Sequence, residues 1–162
     1  DVKLQFATLF RYHWATTHYL IDCAARLSQE DYFQEPGYGH GSIHSIFFHL
    51  LRADHNWRRT IGNRKQVPPL VLIENFQSID AIRSGMTEEQ TAWNDLFDSL
   101  SEDDLAGELR LLNRHGEVLS QPGWRILQHI LFHGMQHHSE LAQLLTIKGQ
   151  SPGNIDLVFF AG

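Results

Sequence analysis

The chain has 162 residues, 42% hydrophobic and 20% charged, with a formal net charge of -6. This is an ordinary globular composition in a length that suits one domain spanning residues 1–162, long enough to bury most of the surface its unfolded form exposes. With only 13 Lys and Arg and no basic run, a phosphate-binding nucleic-acid surface is excluded; no apolar stretch approaches the about 20 residues that span a bilayer, and Asp1-Val2-Lys3 does not begin a secretory signal, so a soluble cytoplasmic protein is expected.

From Leu4 to Leu27 apolar residues recur at helical spacing (Phe6, Leu9/Phe10, His13/Trp14, Thr17, Leu20/Ile21, Ala24) without internal Pro or Gly, which predicts a long first helix. Cys23 on it is the solitary cysteine, so no internal disulfide framework exists, and a small buried hydrophobe is the preferred reading over a reactive thiol. Ser28-Gln29-Glu30-Asp31 supplies a stop and a new capped turn, and Pro36 to Gly41 must be a loop. Ser42 is placed to cap a second helix running to about Ile61, before Gly62-Asn63, with an inward stripe of Ile46, His49, Ala53 and Trp57. Arg64 to Ile73, with Pro68-Pro69, reads as a long connection. The third helical pattern runs from Ser78 to Leu100, ended by Ser101-Glu102-Asp103-Asp104. Leu109 to Leu119 looks like two short extended pieces around Arg114-His115-Gly116, as a small hairpin or an irregular loop. Pro122 to Lys148 is the fourth helix, closed by Gly149, and an apolar tail Leu157-Val158-Phe159-Phe160 follows. Four long amphipathic segments predict an all-α four-helix bundle.

Chemistry concentrates in the 11 histidines. On the fourth helix Ile126, Ile130, His133, His137, Leu141 and Leu144 share one row, so two imidazoles stand where leucines are usual, and burying them costs free energy unless their nitrogens are satisfied. His49 falls independently on the row of the second helix. Bundle interiors build metal sites from facing helices in this way, and three nitrogen ligands with a fourth position open describe a catalytic type of site. Imidazole suits Zn, Ni, Fe or Cu, and ligand type does not choose among them. Spacing alone leaves a second reading open, in which these histidines bond to core carbonyls or waters. His129 is turned about 80° from His137 and reads as a rim residue, His138 as a surface residue, and His44 and His55 as satisfied or exposed. The four Trp and ten Phe read mainly as core fillers, some lining a pocket beside the metal.

Gly41-Ser42-Ile43-His44, with His49-Leu50-Leu51-Arg52-Ala53-Asp54, resembles a signature block of the DinB/YfiT-like family of metal-binding four-helix bundles. His129-Ile130-Leu131-Phe132-His133 with His137, then Leu141-Ala142-Gln143-Leu144-Leu145, is similar to the family's last helix. Ser151-Pro152 to Phe160 resembles its tail, and Leu9 to Ala15 its opening. The resemblance spans nearly the whole chain. It implies a bundle in which His49, His133 and His137 bind a divalent ion (Zn, Ni or Fe), often in a homodimer. The family's Arg-Gly-Gln after the last ligand is His138-Ser139-Glu140 here. Glu140 could therefore orient a ligand, act as a base, coordinate, or simply form a helix salt bridge. Asp54 occupies a family position, and reads equally as a salt-bridge partner or a proton carrier.

Two functions follow. One is a metal-dependent enzyme, a thiol transferase or hydrolase, whose ion activates water or a low-molecular-weight thiol, acting on a small-molecule substrate and on neither nucleic acid nor membrane. The other is a non-catalytic stress-response or small-molecule-binding module with a structural or vestigial metal site.

Overall fold

Serine caps set where helices begin. In the computed structural model, which describes residues 2–62, 73–112 and 115–161, Ser42 and Ser78 stand in extended backbone before α3 (Ile43–Ile61) and α4 (Ile79–Ser99). Their hydroxyls accept from the N–H groups of Ser45 and Ala81, satisfying donors that have no partner within the helix. With α1 (Val2–Ala24) and α6 (Gly123–Ile147) these form the four long rods. Residues 63–72, including the Pro68-Pro69 connection, lie outside the described residues.

The sequence that reads as a stop is, at two places, the cap of a further short helix. Ser28 caps α2 (Gln29–Phe33), and Ser101 with Asp104 makes a reciprocal capping box on α5 (Glu102–Ala106). The segment before α6 is the hairpin rather than the irregular loop: β1 (Glu108–Leu112) pairs antiparallel with β2 (Val118–Pro122), Arg110 opposite Ser120.

α1 packs on α6 and α4, and α3 packs on the same two helices, so α1 and α3 face each other diagonally across a closed ring. Trp14 and Ile21 from α1, Phe47 and Leu50 from α3, Met86 and Trp93 from α4, and Leu127 and Leu141 from α6 meet in a fully buried core. Cys23 is buried there too. Not every aromatic belongs to it: Trp57 is half-buried, and Trp124 is 42% exposed because its indole stands at the rim of a cavity rather than inside the sealed core.

Several polar groups inside the bundle are paired between helices. His44 Nδ1 meets the Tyr32 hydroxyl at 3.1 Å, tying α2 to α3, and burial lowers the pKa of the ring. His55 Nδ1 and Arg58 Nη2 reach Glu89 Oε2 at 2.9 and 3.0 Å, linking α3 to α4. Burial works against the Glu89 charge, but the hydrogen bonds from His55 and Arg58 outweigh it and hold the carboxyl below its ordinary value.

Candidate metal centre

α3 supplies His49 and α6 supplies His133 and His137, and their ring nitrogens lie within 4.8 Å of one another. His133 Nε2 stands 3.0 Å from His49 Nε2 and 3.1 Å from His137 Nε2. An ion held tetrahedrally by bonds of about 2.0–2.1 Å keeps its ligand nitrogens roughly 3.3 Å apart, so the spacing suits a shared cation.

Glu140, one turn beyond His137 on α6, determines how His137 is presented. Its Oε2 accepts from His137 Nδ1 at 3.1 Å and from His40 Nδ1 at 2.9 Å, while Oε1 accepts from the His40 backbone N–H at 2.7 Å. With its proton on Nδ1, His137 turns a bare Nε2 lone pair toward His133. This carboxylate–imidazole arrangement fixes tautomer and ring direction in metal sites. His40 reaches Glu140 because the loop passes through Gly39 at φ +65°, where a side chain would also strike the carboxylate.

Burial, reinforced by the neighbouring imidazoles, lowers His49 and His133 to about 4. His137 is lowered by burial as well, in spite of the opposing hydrogen bond it donates to Glu140. Burial alone would raise Glu140, but its bonds from His40 and His137 prevail and keep it below its ordinary value, as an anion. Neutral rings whose nitrogens converge at about 3 Å repel through their lone pairs unless a proton or a cation lies among them. The donor set therefore fits a divalent ion of the imidazole-loving kind. A second grouping, His40, His137 and Glu140, also meets the distance requirement but shares His137 with the first.

These depressed values carry a pH dependence. Groups held below 6.5 in the folded chain bind fewer protons than they do unfolded, so the stability they permit is complete above 6.5 and declines as pH falls from there toward 4. His44 shifts in the same direction. The chelator-treated protein should therefore show a melting temperature that is level above about pH 7 and falls steadily below about pH 6.5; a level profile down to about pH 5 would contradict neutral rings.

The triad stands at the margin of the core rather than within it. His137 is buried, but His49 and His133 are half-buried, because the buried row of α3 runs through Ile43, Ile46, Phe47, Leu50 and Asp54 and leaves His49 at its edge. His129 is exposed, its ring 6.1 Å from that of His133 and 5.2 Å from Trp57, at the rim of the site. Asp54 does not join the triad. It is 1% exposed, and its Oδ2 lies 2.9 Å from His13 Nε2, which bridges α1 to α3 across the bundle. His138, expected at the surface, is 1% exposed: α6 is covered by α1 on one face and α3 on another, so a side chain one position past the triad row meets α1. There its Nε2 bonds Thr17 Oγ1 at 2.8 Å.

Sequence reasoning missed His13 and His40 as partners. His13 was visible only as a member of an apolar stripe, and His40 only as a histidine between glycines. His13 fits because Gly134 has no side chain; a Cβ there would lie 2.5 Å from the imidazole.

Comparisons place this geometry among known folds. A search of curated proteins finds no match. The crystal structure of a DinB-like protein, YjoA of Bacillus subtilis, superposes with a TM-score of 0.62 at 16% identity, covering 87% of this chain and 92% of that one, and shows a shared fold. The sequence profile of the DinB family matches residues 2–162. A match of that extent means that this chain belongs to the DinB family.

Proposed function

We propose that the protein binds one divalent ion (Zn, Ni or Fe) through His49, His133 and His137 and works as a metal-dependent enzyme of the thiol-transferase or hydrolase type on a small-molecule substrate. The observation that carries the reading is the convergence of three neutral imidazoles from two helices within 4.8 Å, at the margin of the core where His49 and His133 are only half-buried. Such an ion, with a fourth position free, lowers the pKa of a bound water or low-molecular-weight thiol and orients it for attack. His137 is aligned by Glu140, and Glu140 by His40. Asp54, committed to His13, takes no part as a proton carrier. The same reading takes the protein as a cytoplasmic homodimer that engages neither nucleic acid nor membrane; among the described residues no helix is long and apolar enough to cross a membrane.

A thiol-transfer assay with glutathione or cysteine and an aryl chloride tests it. The thiol proton passes to solvent, a carbon–sulfur bond forms and chloride leaves. Zinc- or nickel-loaded protein should exceed chelator-treated protein at least about tenfold, and Glu140→Ala should weaken metal affinity about 10–100-fold by competition with a chromophoric chelator. Equal rates with and without metal would reject the catalytic reading.

One observation favours the second reading, a non-catalytic module with a structural or vestigial metal: both oxygens of Glu140, the carboxylate touching the triad, are already occupied by His40 and His137. Under it, metal removal would lower the melting temperature without changing any rate.

A further inference from the structure

His137 stands in two clusters at once. Its Nε2 lies 3.1 Å from His133 Nε2 inside the triad, and its Nδ1 lies 3.1 Å from Glu140 Oε2 on the other side of the ring. Glu140 and His40 complete the second cluster, in which the three donor atoms fall within 4.8 Å of one another. His40 Nδ1 is 2.9 Å from the same Glu140 oxygen.

The two clusters differ in exposure and in charge. The side chain of His40 is 45% exposed, that of Glu140 18% and that of His137 1%, so exposure falls along the line of contacts from solvent to the ring shared with the triad. The His40 ring also lies against the triad itself, stacked 5.7 Å from His49 and edge-on 4.4 Å from His137. The triad offers only neutral imidazoles, whereas Glu140 brings a carboxylate. A negative group near the surface raises the rate at which a cation arrives from solution.

One proton links the clusters. A neutral imidazole carries one N–H and one lone pair, so His137 turns its lone pair either to the triad or to Glu140 and His40. The two clusters are therefore alternative positions for one ion.

We propose that His40, Glu140 and His137 Nδ1 form a capture site for the divalent ion, from which it passes to His49, His133 and His137 Nε2. The inference rests on the triad being the resident metal site. With the ion at the capture site, the protons of His40 and His137 are on Nε2. On transfer both return to Nδ1, where Glu140 accepts them, and the protein gains and loses no proton. The triad is the tighter position, with three imidazoles against two and the carboxylate still supporting His137.

The test mixes the metal-free full chain with cobalt(II) in a stopped-flow spectrometer, since cobalt takes the place of zinc and absorbs strongly once four-coordinate. Release is followed by adding excess chelator. A capture site lowers the barrier in both directions, so His40→Ala is expected to slow uptake and release alike, at least about tenfold, and to leave Kd within about threefold. A His40 that only props Glu140 would instead quicken release and leave uptake unchanged. His40→Asn, which still donates to Glu140 but is a poor ligand, replaces His40→Ala should that variant fail to fold by circular dichroism. His133→Ala, titrated at equilibrium without gel filtration, should bind one cobalt ion weakly, and adding His40→Ala to it should abolish that binding. Undiminished uptake in the His40 variant, or no binding by His133→Ala, would overturn the proposal while tight binding by the unmodified chain leaves the triad standing. Absence of tight binding by the unmodified chain would overturn the triad and the capture site together.

Discussion

His133→Ala is expected to lower bound zinc from about one equivalent per chain to near none, because it removes the nitrogen that stands between the other two. His133 Nε2 is the common neighbour of His49 and His137, at 3.0 and 3.1 Å. Without it the remaining imidazoles offer two ligands, too few for a tight site. His138→Ala serves as the control, since its ring faces Thr17 and the α1 side. It should retain the metal and instead lose about 2–3 kcal/mol of stability through a buried void and a lost hydrogen bond. Metal analysis after gel filtration separates the two variants. Equal retention in both would reject the ligand assignment.

The largest stability effect is expected at a pair remote from the surface. His13→Ala leaves Asp54 as a carboxylate 1% exposed, with Oδ1 already lacking a partner. Breaking a buried pair from one side costs about 3–5 kcal/mol, a large share of the roughly 5–15 kcal/mol that holds a domain folded. The pair joins α1 to α3 across the diagonal of the bundle, so its loss also removes a buried polar tie between those helices. Asp54→Asn, which can still accept from His13, should cost less. Urea unfolding of the two variants checks the ordering, and a His13→Ala loss below about 1 kcal/mol would show that Asp54 finds another partner.

What could be read from the sequence was what depends on period. The long rods, the Ser42 cap and the i, i+4 spacing of His133 and His137 are local patterns, and a helix turns them directly into geometry. α5 escaped this reading, and α2 showed only as a capped turn after Ser28, because five residues make little more than one helical turn, too short for a repeat to show. His138 was misjudged for a different reason. A single apolar row was taken as the whole buried face of α6, whereas α6 lies against both α1 and α3 and buries a wider arc. The His13–Asp54 and His40–Glu140 contacts depend on the register between elements 41 and 100 residues apart, and no spacing within one helix encodes that. Gly134 and Gly39 were clues of the right kind, since each marks a close approach that a side chain would block.

X-ray absorption at the metal edge of the zinc-loaded protein tests the central claim most directly. Three imidazole nitrogens are expected at about 2.0–2.1 Å, with the remaining coordination from a light exchangeable ligand such as water, and loss of that pattern in His133→Ala. A first shell with fewer than three imidazoles, or one unchanged in His133→Ala, would contradict it.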